Sequence, residues 1–287
     1  MIDLALSVFF SSLIFVIFKL YKRYQINTVH AIIINYITAC LVGLLFYEGQ
    51  TGIDDIPYKS WFIGSLCLGV LFILVFNLMA RTSQQLGVSV ASVATKMSLV
   101  IPVILGVWLY NESLGVVKMI GILLALIAVY FSSAKKSNLE LRSSNWYLPL
   151  FVFLGSGIID GSIKYLEEYH VGQNEFSIFT SSIFAAAALT GVLFITARSF
   201  KIQSKWQARD LLGGIALGVP NFFSIYFLLR ALQSPHMNSA SIFTINNVAI
   251  VMLSTLLGIA LFRENLSPKN WTGIAIAVIS IVLVIIF

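Results

Sequence analysis

The sequence predicts an all-α polytopic membrane protein, with ten transmembrane helices arranged as two inverted five-helix repeats around a central cavity. Three observations carry that expectation. Apolar residues make up 59% of the 287 and charged residues only 10%, against roughly 25% charged in soluble domains. Apolar runs of about 20 residues, the length that crosses a bilayer, recur from Leu4 to Phe287 with short interruptions. A charged segment between two such runs near the middle of the chain reappears near its end. Helices rather than barrel strands are expected, because barrel strands read as short alternating segments.

The spans expected in order are residues 2–20, 31–47, 60–80, 88–109, 115–133, 146–166, 174–196, 208–229, 238–262 and 268–287. The first opens on Asp3, with no basic leader and no small-residue cleavage site before Lys19. It therefore reads as a retained helix of a chain beginning at Met1, and not as a signal peptide. Turn and capping residues mark the breaks: Gly49 to Gly52 and Pro57 after the second span, Ser234-Pro235 before the ninth, and Ser267-Pro268 before the tenth. Ser267 suits an N-cap and Pro268 the first helical position, where proline's missing N–H costs nothing. Trp61, Trp146, Trp206 and Trp271 fall at helix starts, as interfacial anchors do. Pro102 and Pro220 lie inside spans, where a lost backbone hydrogen bond kinks the helix and acts either as a gate or hinge or as static shaping. Cys40 and Cys67 stand alone in apolar runs and read as packing residues, with no disulfide framework or thiolate metal site.

The net charge of +6 follows from topology rather than from a nucleic-acid partner. Of the eighteen Lys and Arg residues, thirteen fall in odd-numbered loops, three (Lys59, Lys118 and Arg230) on the even side, and two (Lys96 and Lys164) inside spans. The positive-inside rule then places the odd loops in the cytoplasm and both termini outside.

Asn111-Glu112-Ser113-Leu114 and Arg263-Glu264-Asn265-Leu266 match at a shift of 152 residues, which also pairs Gly121 with Gly273. Each Glu stands just before a helix start, where its charge is favoured by the dipole. The expected units are residues 1–136 and 146–287, joined by a linker at 137–145. Five helices per unit force opposite topologies, the plan of many secondary transporters, with the site near the midplane. With its small-residue run Gly87-Val88-Ser89-Val90-Ala91-Ser92, then Pro102, Glu112 and Gly121, and the partial echo Ser239-Ala240-Ser241, Glu264 and Gly273, the chain resembles the EamA-type ten-helix branch of the drug/metabolite transporter superfamily. That resemblance covers essentially the whole chain. It implies a basket of ten helices in the bacterial inner membrane that moves metabolites by alternating access, as an exporter or exchanger. It also implies cytoplasmic termini, and on this point the loop charges depart from it.

An ionisable side chain at a helix centre costs about 2.5–3.5 kcal/mol by insertion scales and so demands an explanation. Lys96 and Asp160 are the clearest cases: at about 1.5 Å per residue they lie roughly 12 Å and 21 Å from the odd side. They are expected to approach one another directly or through water or substrate. Ser89, Ser92 and Lys96 share one helix face, as do Asp160, Lys164 and Glu167. These stripes either line the solute path or lock two helices together. Lys164 can also snorkel toward the even side. Asn221, Asn246 and Asn247 fall at similar depth and either bind a polar substrate or join helices; adjacent Asn246 and Asn247 project about 100° apart, so one of them is expected to face the cavity. Asn77 and Arg81 share a face near the odd side, as gate, anion contact or interfacial anchor.

Motifs of other classes are absent. His30, His170 and His236 stand at separate loop edges with no H-E-x-x-H pair, and there is no G-x-S-x-G elbow or nucleotide-binding G-x-x-x-x-G-K-[ST] loop. No catalytic role and no cofactor or metal is expected, and energy would come from proton or ion coupling. The partners expected are the bilayer and a small polar solute such as an amino acid, with one chain sufficient to enclose the cavity. The alternatives are a multidrug or cation exporter of the same fold, a membrane-embedded enzyme, and a non-transporting membrane subunit.

Overall fold

The computed structural model describes residues 1–47, 52–85, 94–98, 100–110, 115–133, 147–199, 207–235, 237–262 and 268–286. The helices are α1 (Ile2–Arg23), α2 (Thr28–Leu45), α3 (Phe62–Gln85), α4 (Val100–Tyr110), α5 (Val116–Ser133), α6 (Tyr147–Tyr169), α7 (Phe176–Ser199), α8 (Ala208–Leu232), α9 (Ser239–Phe262) and α10 (Pro268–Ile286). Short 3-10 turns at Ile53–Tyr58 and Gln173–Glu175 precede α3 and α7. Among the described residues seven helices are long and apolar enough to cross a membrane, and three shorter apolar stretches accompany them, one ending in α4 at Trp108, one within α5 (Met119–Ala128) and one within α10 (Trp271–Ser280). Leu41, Leu45, Ile63, Leu189, Leu193 and Leu212 are exposed on the helix flanks, as expected of surfaces bathed by lipid.

The fourth expected span, 88–109, is interrupted. Residues 94–97 are helical and Ser98 forms a turn before α4. Pro102 has no N–H to offer the Ser98 carbonyl four residues back, and the Ile101 N–H takes that carbonyl instead, at 2.9 Å. The Ser98 hydroxyl turns back onto the Thr95 carbonyl at 2.5 Å. Pro220 is buried within α8, which continues through it.

Packing pairs helices from opposite ends of the chain. α1 lies on α8 and α9, α2 on α8 and α7, α3 on α7 and α6, α4 on α6 and α9, and α5 on α10. Exchanging the first five helices for the last five maps these pairs onto one another. The interhelical contacts include Ser280 Oγ donating to the Gly121 carbonyl at 2.8 Å and Ser177 Oγ donating to the Gly43 carbonyl at 2.6 Å.

Polar contacts between distant loops sort the helix ends. At one end Asp3 pairs with Arg230 at 3.3 Å and Lys59 with Glu175 at 2.6 Å. The bond to Glu175 holds the Lys59 ammonium above the ordinary lysine range, so on the basic side this link persists past neutral pH and is lost as alkaline pH deprotonates the lysine. Trp61, expected as an interfacial anchor, is fully buried instead. Its indole N–H donates to Glu175 at 2.9 Å, and its ring packs edge-on against Phe179. A polar partner under the loops lets this amphipathic ring leave the lipid surface. Trp271 is exposed as an anchor requires, and Trp108 also faces outward.

At the opposite end, buried Asp210 joins two helix N-termini. Its carboxylate accepts the Asn27 N–H at 2.7 Å and the Gln207 N–H at 3.3 Å, and it faces His30 Nδ1 at 3.4 Å. Asn27 in turn caps α2 through the N–H groups of Val29 and His30, and Tyr21 donates to the Gly213 carbonyl at 2.8 Å. Asp210→Ala removes the acceptor of these part-buried N–H groups and the partner of buried His30 and is expected to lower stability by about 1 kcal/mol or more, with Asp210→Asn milder. Thermal unfolding in detergent measures both, and equal melting of wild type and Asp210→Ala would refute this role.

Candidate functional site

A cavity of about 130 Å³ lies among α1, α3, α6, α8, α9 and the 94–97 turn. Much of its wall is apolar, from residues such as Phe15, Phe72, Phe76, Met79 and Phe243. Into this wall are set Lys96, Asp160, Ser156, Asn221, Asn246 and Asn247. Both halves of the chain contribute, and Ser11, Ile14 and Phe15 of α1 and Ser156, Ile159 and Asp160 of α6 come from the middle turns of their helices.

Lys96 donates to Asn247 Oδ1 at 3.2 Å, and its ammonium lies 5.8 Å from the centre of the Phe15 ring, within cation–π range. Asp160 and Lys96 line the same cavity and lie within electrostatic reach of each other. No direct ion pair joins them, and among the described residues Asp160 has no hydrogen-bonded partner. The acid and the base thus share one cavity without a direct salt bridge.

The amides form cross-links between helices. Asn221 donates to Asn35 Oδ1 at 3.1 Å, joining α8 to α2, and Asn35 donates onward to the Ile32 carbonyl at 3.4 Å. Ser7 Oγ reaches both the Ser224 carbonyl at 2.9 Å and Asn246 Oδ1 at 3.2 Å; its single proton serves one of them at a time. Both Asn246 and Asn247 line the cavity, where the 100° spacing predicts one. The reason is that α9 is flanked there on two sides: Asn246 turns to Ser7 of α1 and Asn247 to Lys96.

Other residues singled out by the sequence lie elsewhere. Lys164 is outside the cavity lining; it is buried and paired with Glu167 at 2.9 Å and Glu168 at 2.6 Å on its own helix. Asn77 donates back to the Ile73 carbonyl at 2.7 Å, and Arg81 is exposed near the end of α3. Pro102 is buried in α4, below the Ser98 turn. Ser89, Ser92, Glu112, Glu264, Trp146, Trp206 and His236 lie outside the described residues. Ser156, which the sequence does not single out, faces the cavity one helical turn before Asp160. That four-residue spacing from a buried acid is the signal that points to it.

A helical membrane protein with a charged, amide-lined cavity shared by its two halves is the class that fold and site define. The chain belongs to the EamA-like transporter family, a family of membrane transporters, which it matches over residues 1–134 and again over 148–286. An uncharacterized protein of Haemophilus influenzae is 29% identical to it over 278 residues, covering 95% of this chain and 93% of that one. A solved crystal structure shares its fold at a TM-score of 0.70 with 15% identity, covering 98% of this chain and 95% of the other.

Proposed function

We propose that this chain is a secondary-active exporter or exchanger of small polar metabolites, amino acids foremost, working by alternating access in the bacterial inner membrane. The observation that carries this reading is the central cavity itself, where a lysine, an aspartate with no hydrogen-bonded partner among the described residues and three asparagines stand in an apolar wall contributed by both halves. A separated cation and carboxylate suit a zwitterion, whose two ends complement them. At about 130 Å³ the space is below the roughly 300–1,000 Å³ that holds drug-sized ligands, which disfavours the multidrug alternative.

Ten membrane-crossing helices in two inverted repeats, residues 1–136 and 146–287, complete the proposal. The double family match and the exchange of helix pairs between halves support it. The break before α4, with Lys96 on one side and Pro102 on the other, supplies a hinge at the cavity. Asp160 is the group that would couple flux to protons or another cation, and no cofactor is invoked. One chain encloses the cavity, so a monomer suffices. Purified protein in liposomes, loaded with labelled amino acids and given a pH gradient, is expected to show saturable flux of at least one of them. Absence of flux for the whole set in both gradient directions would overturn the reading.

A further inference from the structure

Two buried polar atoms in the cavity have no hydrogen-bond partner: Asn247 Nδ2 and Ser156 Oγ. The residues are only 3% and 6% exposed, and both line the cavity. Leaving buried polar groups unpaired is costly, and such orphans call for a partner that the protein does not itself supply. The orientation of the Asn247 amide is fixed by chemistry: lysine donates and cannot accept, so Lys96 must face the amide oxygen, and the NH₂ is the end left over.

We propose that Asn247 Nδ2 and Ser156 Oγ are specificity-determining donors that, with the remaining N–H groups of Lys96, take a carboxylate of the transported solute. The inference rests on the transport reading above and adds which atoms read the solute's acidic end. Amide N–H and ammonium N–H groups are donors only, and a serine hydroxyl readily donates, so this side of the cavity offers protons where a carboxylate offers lone pairs. Asp160 offers lone pairs alone, which suits the ammonium. Lys96 is held by Asn247 Oδ1, which fixes its charge beside the orphan amide donor.

The test uses L-leucine and L-valine against their carboxamides, leucinamide and valinamide, which keep the ammonium and the side chain and lose the carboxylate. Asn247→Asp retains an oxygen for Lys96, replaces the orphan donor by an acceptor and adds a negative charge there, whereas Ser156→Ala removes a donor without changing the charge. Binding is read by thermal shift and by flux in liposomes. Wild type is expected to prefer the carboxylates by about tenfold or more, the usual scale of one charge-assisted hydrogen bond. Asn247→Asp is expected to abolish or reverse that preference, and Ser156→Ala to reduce it several-fold, with carboxamide binding retained. A merely structural role would weaken both probe types equally. If wild type moves leucine or valine but both variants keep the wild-type preference, this assignment falls and the transport reading stands. If wild type binds neither carboxylate, the assignment falls together with its substrate class.

Discussion

Lys96→Ala and Asp160→Asn are each expected to reduce solute flux by at least about 30-fold, with membrane insertion and thermal stability near wild type. Removing one member of a desolvated charge pair leaves the other uncompensated, at about 2–5 kcal/mol. Here both charges line the cavity and no direct ion pair joins them, so the loss is expected to fall on transport more than on the fold. Lys96→Arg retains the positive charge but places a larger planar fork beside Asn247 and Phe15, and intermediate flux is expected. Flux in proteoliposomes, alongside melting in detergent, separates transport from folding. Unaltered flux in both the alanine and the asparagine variant would remove this cavity from the transport path.

The second large effect concerns backbone approach. A Cβ on Gly69 of α3 would sit 2.7 Å from the backbone nitrogen of Ala187 and against the Ala186 side chain. A Cβ on Gly218 of α8 would sit 2.6 Å from the Asn35 carbonyl and 2.6 Å from Thr38 Cβ on α2. These two crossings, α3 with α7 and α2 with α8, exchange with one another when the halves are exchanged. Backbone atoms cannot rotate away, so even alanine is expected to cost about 1–3 kcal/mol at either position. The small-residue contact is also what lets helices associate within lipid. Gly69→Ala and Gly218→Ala should lower the melting temperature and folded yield, and the double variant should yield little folded protein. Gly172→Ala is the control, because its φ of -73° and its open surroundings accept a methyl. Wild-type melting of both single variants would show that these crossings tolerate separation.

Much of the candidate site is legible in the amino-acid sequence, for one reason. Charges and amides in long apolar runs are conspicuous, because the bilayer penalises them; Lys96, Asp160, Asn221, Asn246 and Asn247 stand out in that way, and all line the cavity. Ser156 does not stand out, because a lone serine in a membrane helix is common and cheap, and only the shape of the cavity shows that its hydroxyl has no partner. Lys164 looks like Asp160 in the sequence, yet glutamates three and four residues on neutralise it locally. The spacing that favours such pairs is readable, but whether the side chain turns to them or to the solute path is not.

The sequence by itself determined that this chain lies in a membrane as a bundle of helices, where most of them begin and end, and which family it resembles, since hydrophobic length and local capping are properties of neighbouring residues. Only the tertiary structure decided that Trp61 leaves the interface for Glu175, that Asp210 caps two helices distant in sequence, that the fourth span breaks at Ser98, and that Lys96 reaches Asn247 rather than Asp160. Each depends on partners more than 100 residues away or, for the break, on how a freed carbonyl is satisfied. A bilayer enforces satisfaction of every polar group without prescribing the partner, and that choice is made when the helices pack.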